Sequence, residues 1–113
     1  MAVRRGEIYW VDFGTPRGSE QAGKHPALVI QNDIGNENST TTIVAGITSQ
    51  KKPSYPFHVA ITATESGLPK DSTTLLEQLL TITQDRLLQR CGRLSPDKMR
   101  EVDQALMHSL GLP

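Results

Sequence analysis

The residues able to do chemistry gather in two stretches of the 113-residue chain. The first is the polar run holding Arg17, Ser19, Glu20, Gln21, Lys24 and His25; the second is Thr48 followed by Gln50. An imidazole titrates near 6.5, so His25 can move a proton at neutral pH, and as a cation it can stabilise negative charge. Lys24 next door can lend charge but not the two-pronged grip of a guanidinium. Thr48 ends an apolar run, where a hydroxyl commonly just bonds a turn; beside Gln50 and the polar loop it can equally contact an anionic oxygen. Glu20 and Gln21 can accept from a ligand edge or simply be solvated, and Arg17 and Ser19 are weaker candidates for an anion. Gln78 carries donors and an acceptor suited to a heterocycle edge, or is an ordinary edge-strand side chain. Arg86 adds a cation further along.

Other chemistries find no pattern. No Cys/His or carboxylate spacing suggests a metal site, and there is no phosphate-cradling loop or glycine-rich dinucleotide turn, so no cofactor is implied. His58 and His108 lie far from the polar cluster in sequence and read as structural or surface histidines. Charge is balanced, 12 Lys plus Arg against 12 Asp plus Glu. A protein that coats nucleic acid by phosphate neutralisation alone is normally basic, so that class is disfavoured; a short bound strand is compatible if the cations are gathered. The single cysteine, Cys91, has no internal partner, which favours a reducing compartment. No apolar run approaches the roughly 20 residues of a membrane span, and the basic start lacks the apolar stretch of a signal peptide. The expectation is a cytoplasmic protein with no membrane partner.

The elements that must position these residues read as one β-rich domain over 1–113. Gly6 to Phe13 is rich in aromatic and β-branched residues and predicts a strand, in which alternation sends Tyr9 and Trp10 to opposite faces. One face can offer a stacking platform, while packing in a core or dimer contact claims at least one of the two rings. Gly14 to Pro26, with two prolines and three glycines, predicts a loop. Ala27–Ile30, Thr41–Ile47 ending at Thr48, Phe57–Ile61, Ser72–Leu76 and Leu79–Ile82 predict further strands, with turns at Asn32 and around Ser66–Lys70. A short helix is expected from Thr83, carrying Arg86, Leu87 and Arg90. The last helix is the clearest: Ser95 caps it, Pro96 and Asp97 fill its first turn, Met99, Val102, Leu106 and Leu110 form its apolar face, and Gly111 closes it. Short, closely spaced strands with peripheral helices imply a small barrel.

Four stretches in order carry a more specific signal: Arg5–Asp12, Gly18–Asp33, Ile43–Thr48, and Asp71–Ile82 trailing into Arg86-Leu87. Together they resemble the MazF/PemK family of toxins from toxin–antitoxin systems, from about Arg4 to the C-terminal helix. The resemblance implies a mostly β, SH3-like barrel of the MazF/PemK/CcdB type with a C-terminal amphipathic helix, assembled as a homodimer. It implies metal-independent, sequence-specific cleavage of single-stranded RNA, mRNA in particular. The 2′-hydroxyl attacks the adjacent phosphorus and leaves 2′,3′-cyclic phosphate and 5′-hydroxyl ends; a cognate MazE-like antitoxin blocks the groove. It assigns catalysis to Thr48 and to an arginine just before the Pro-X-Leu-Val segment, a position occupied here by His25. It places Arg17, Ser19, Glu20, Gln21, Lys24, Gln50, Gln78 and Arg86 among the RNA contacts. His25 has two readings: an imidazole recruited for proton transfer or phosphorane stabilisation, or a change that weakens or abolishes activity. Gyrase-inhibiting proteins share the barrel, so a non-enzymatic toxin is the alternative.

Overall fold

A computed structural model describes residues 2–14, 23–50 and 53–113. Six strands form one antiparallel sheet in the order β4-β5-β3-β2-β1-β6: β1 (Glu7–Asp12), β2 (Lys24–Val29), β3 (Thr41–Thr48), β4 (His58–Ile61), β5 (Ser72–Thr83) and β6 (Leu87–Arg93). Three helices accompany them: α1 (Asp33–Asn38), α2 (Ala63–Ser66) and α3 (Pro96–Leu110).

The apolar residues divide the structure into two cores. One gathers Ile8, Leu28, Ala45, Ile47, Val59, Ile61 and Leu76 with Val102 and Ala105 of α3. The other holds Tyr9, Val11, Ala27, Val29, Val44 and Ile82, with Phe13 and Leu87 against it. Strands β1 to β3 thus bury both faces, as their near-continuous apolar composition demands. Tyr9 falls in the second core while Trp10 packs against the first, the opposition that strand alternation predicts. Burial, then the neighbouring Glu7 carboxylate, pushes the Tyr9 phenol above its ordinary range.

The sheet curls until its two edges meet through α2. Gly67, which ends α2 with φ +78°, lies so close to β6 that a Cβ would sit 2.1 Å from the Cys91 carbonyl oxygen. A Cβ on Gly92 would sit 2.5 Å from the Ser66 carbonyl oxygen. Two glycines therefore let the segment after β4 press backbone to backbone on β6, and this bridges the two edges of the curled half-barrel without hydrogen-bonding one edge strand to the other. The capping box of α2 fixes the approach: Thr62 Oγ1 accepts from Glu65 N, and Glu65 Oε2 accepts from Thr62 N.

Several expectations need correction. The helix expected from Thr83 is only a 3₁₀ turn at Gln84–Arg86, after which Leu87–Arg93 pairs with β1 as a strand. Sheet pairing overrides the helical propensity of Leu, Gln and Arg there. Ser72–Leu76 and Leu79–Ile82 are one strand, β5, in which β3 passes from Ala45↔Leu79 to Gly46↔Leu75, so Leu76 to Gln78 bulge out. The loop expected to reach Pro26 stops earlier, because Lys24, His25 and Pro26 already pair with β1. Asn32 does not end in a turn but caps α1, its side chain accepting from Gly35 N at 2.7 Å. A six-residue helix of Asp, Ile, Gly, Asn and Glu gives no periodic signal.

In α3 the caps are as expected: Ser95 Oγ accepts from Lys98 N and Gly111 takes the left-handed closing position. Its buried face is Val102 and Ala105 with Met99 and Leu106 beside them; Leu110 is exposed. The start of the chain is tied down from both sides. Arg5 Nη2 meets Asp103 Oδ1 of α3 at 2.7 Å, and Arg5 N donates to Asp33 Oδ1 of α1 at 2.7 Å. That backbone bond holds the Asp33 carboxyl below its ordinary range.

Candidate active site

The site follows from where β2 and β3 part. Their pairing runs Val29↔Val44, Leu28↔Ala45, Ala27↔Gly46 and stops there. Beyond it, His25 and Pro26 stay with β1, while Ile47 and Thr48 stay with β5 at Thr74 and Thr73. Pro26, lacking an N–H, suits a strand that has lost its neighbour on one side. A cleft of about 440 Å³ opens in the gap. Trp10, Ile47, Leu68, Pro69 and Leu75 give it apolar walls, and His25, Thr48, Ser49, Gln50, Lys70, Ser72 and Gln78 give it polar groups.

The two residues singled out for catalysis thus line one cleft, with Gln50 and Gln78, from three separate parts of the sequence. Thr48 Oγ1 accepts from Gln50 N at 3.1 Å, the turn bond such a residue commonly makes. Accepting leaves the hydroxyl proton free to donate into the cleft, so the turn bond orients Thr48 without consuming its donor. The His25 ring is half-buried and makes no hydrogen bond to another described residue. Gln78 reaches the cleft because it lies on the β5 bulge. Glu77, one residue earlier in the bulge, pairs instead with His58 Nε2 at 3.0 Å, while His58 Nδ1 faces the Pro53 carbonyl at 3.1 Å. The two contacts and the stacked rings of Tyr55 and Phe57 make His58 a structural residue of the β3–β4 connection.

The other assigned residues fall elsewhere. Lys24 is exposed and does not line the cleft; it stands opposite Asp12 across the β1–β2 pair. Arg86 donates from Nη1 to the Asp12 carbonyl oxygen at 3.1 Å, at the neck of the β1–β2 connection. Arg17, Ser19, Glu20 and Gln21 lie outside the described residues. Sequence reasoning missed Ser49, Ser72 and Lys70 as cleft residues. Lys70 belongs to a turn that only the curl of the sheet carries to His25, so no local signal marks it. Among the described residues, no Asp or Glu lines the cleft, and no group of three metal-ligating side chains gathers.

Residues 4–110 match the family described as PemK-like, MazF-like toxin of type II toxin–antitoxin system. Endoribonuclease EndoA of Bacillus subtilis is 49% identical over 113 residues, covering 99% of this chain and 97% of that protein. The chain belongs to the PemK/MazF toxin family. Solved structures agree in fold. A mycobacterial endoribonuclease in complex with its cognate antitoxin superposes with a TM-score of 0.83 at 25% identity, covering 99% of this chain and 98% of that one. MazF from Deinococcus radiodurans gives 0.83 at 25% identity and 99% coverage of both chains. No helix among the described residues of this family member is long and apolar enough to cross a membrane.

Proposed function

We propose that the protein is the toxin of a toxin–antitoxin pair, a metal-independent, sequence-specific endoribonuclease that cuts single-stranded RNA, acts in the cytoplasm as a homodimer, and is restrained by a MazE-like antitoxin. Family membership supports the class. The observation that carries the site is the cleft where β2 and β3 part, with a histidine, a free threonine hydroxyl and a lysine around it and no carboxylate among the described lining residues. Such a lining suits a phosphodiester, whose charge rises by one on reaching the phosphorane.

In this reading the 2′-oxygen forms a bond to phosphorus as its proton leaves, and the bond to the 5′-oxygen breaks as that oxygen gains a proton. The products are a 2′,3′-cyclic phosphate and a 5′-hydroxyl. His25 is the side chain in the cleft whose imidazole can both take up and give back a proton. Thr48 donates its hydroxyl to a phosphoryl oxygen. Gln50 and Gln78 offer amide groups in the cleft lining for base edges, which unstacked RNA presents freely.

Thr48→Ser and Thr48→Val test the assignment. Serine keeps the donor and the Gln50 turn bond, so cleavage of a long single-stranded RNA stays within a fewfold of wild type. Valine keeps the shape and loses the donor, and the rate falls about 10²-fold or more, the scale of one lost transition-state hydrogen bond. Equal rates for the two variants would remove Thr48 from the chemistry.

A further inference from the structure

We infer that Lys70 is the phosphate-binding cation of the cleft, supplying the fixed positive charge that the phosphorane requires. The inference rests on the reading of the cleft as an RNA-cleaving site. Lys70 is the one Lys or Arg among the described lining residues, and His25 is the one other lining group able to carry positive charge. An imidazole that moves protons spends part of the cycle neutral, so it cannot also be a permanent counter-charge. An ammonium keeps its charge throughout, and with no carboxylate among the described lining residues nothing there opposes it.

The backbone of the turn that carries Lys70 is held in place on both sides of the lysine. Gly67 fixes the start of the turn against β6, and Asp71 Oδ1 accepts from Ala63 N at 2.7 Å, which directs that acid to α2. Ser72 Oγ donates to the Lys70 carbonyl oxygen at 3.0 Å. Leu68 is buried in the first core, so the segment is anchored on both sides of the lysine. Lys24, nearer to His25 in sequence, does not line the cleft. During the reaction Lys70 transfers no proton. It offsets the second negative charge that appears when the 2′-oxygen bonds to phosphorus and that departs with the 5′-oxygen.

The test compares Lys70→Ala and Lys70→Arg with wild type, each checked by thermal melting for an unchanged fold. Two readouts are needed: single-turnover cleavage of a single-stranded RNA, and binding of the same sequence made uncleavable by 2′-O-methylation, across a salt series. The expected result for Lys70→Ala is a chemical step slowed about 10²-fold and a salt slope smaller by about one. Lys70→Arg keeps most of the rate. In a His25→Arg background the cost of Lys70→Ala shrinks about tenfold or more, because a guanidinium already supplies fixed charge. Lys70→Ala cutting at the wild-type rate overturns the inference, as does Lys70→Arg proving no better than alanine. A wild-type protein that cuts no RNA, while Lys70→Ala alone loses the salt-dependent binding, would defeat the endoribonuclease reading and leave the phosphate contact standing.

Discussion

At the scale of single residues the proposed mechanism turns on position 25. The structure puts His25 on the same cleft as Thr48, and among the described lining residues the cleft is otherwise supplied with polar groups and the Lys70 ammonium. In the proposed mechanism, a histidine in place of the family's arginine gains a group that can take up and release a proton and loses a permanent cation. His25→Ala is therefore expected to slow cleavage about 10²–10⁴-fold, the scale of a positioned acid or base. His25→Arg is expected to cut no faster than wild type, because a guanidinium does not give up its proton. A large gain with arginine would make histidine a disabling substitution; equal rates for His, Ala and Arg would make position 25 a bystander. The pairing of His25 with Thr48 was legible in the sequence through the family resemblance. Lys70 was not, because its place depends on a curl of the whole sheet, and Gln78 owes its access to a bulge that no local pattern announces.

At the scale of elements, legibility followed the strength of the local signal. β1, β3 and α3 carry long periodic patterns or full sets of caps, and the sequence places them within a residue or two. α1 is short and polar, and β6 combines good helix formers with a place at the sheet edge, so propensity pointed the wrong way. The barrel closure at Ser66-Gly67 against Cys91-Gly92 is a backbone contact, and only the glycine identities hint at it. Alanine at Gly67 meets both a left-handed φ and the Cys91 carbonyl, and at Gly92 it meets the Ser66 carbonyl. Each substitution is expected to cost about 2 kcal/mol or more, from overpacking at both positions and at Gly67 also from the left-handed conformation. Thermal melting checks this: a drop of several degrees is expected for either variant, and melting unchanged from wild type would mean that the edges need not approach so closely. The Cys91 thiol beside this closure is held above its ordinary range by burial, which makes it a packing group rather than a reactive one.

At the scale of the whole molecule, the sheet leaves β6 paired to β1 on one side only, and Leu80, Leu88, Leu110 and Leu112 are exposed. Large apolar side chains left exposed on a protomer suit a surface that a partner covers. A two-fold dimer is the commonest such cover, so light scattering at micromolar concentration is expected to give about twice the 12.4 kDa monomer mass. A monomer at that concentration would contradict the homodimer proposed above. The balanced net charge fits the same picture, since an enzyme that binds one short strand needs cations at the cleft rather than over its whole surface. The measurement that tests the account most directly is to incubate the purified protein with a long single-stranded RNA in excess EDTA and map both ends of every cut. Cleavage at a recurring short motif, with 2′,3′-cyclic phosphate on one side and 5′-hydroxyl on the other, is the predicted result. Activity that vanishes on chelation and returns with Mg²⁺ or Mn²⁺, or cuts that leave 5′-phosphates, would contradict it.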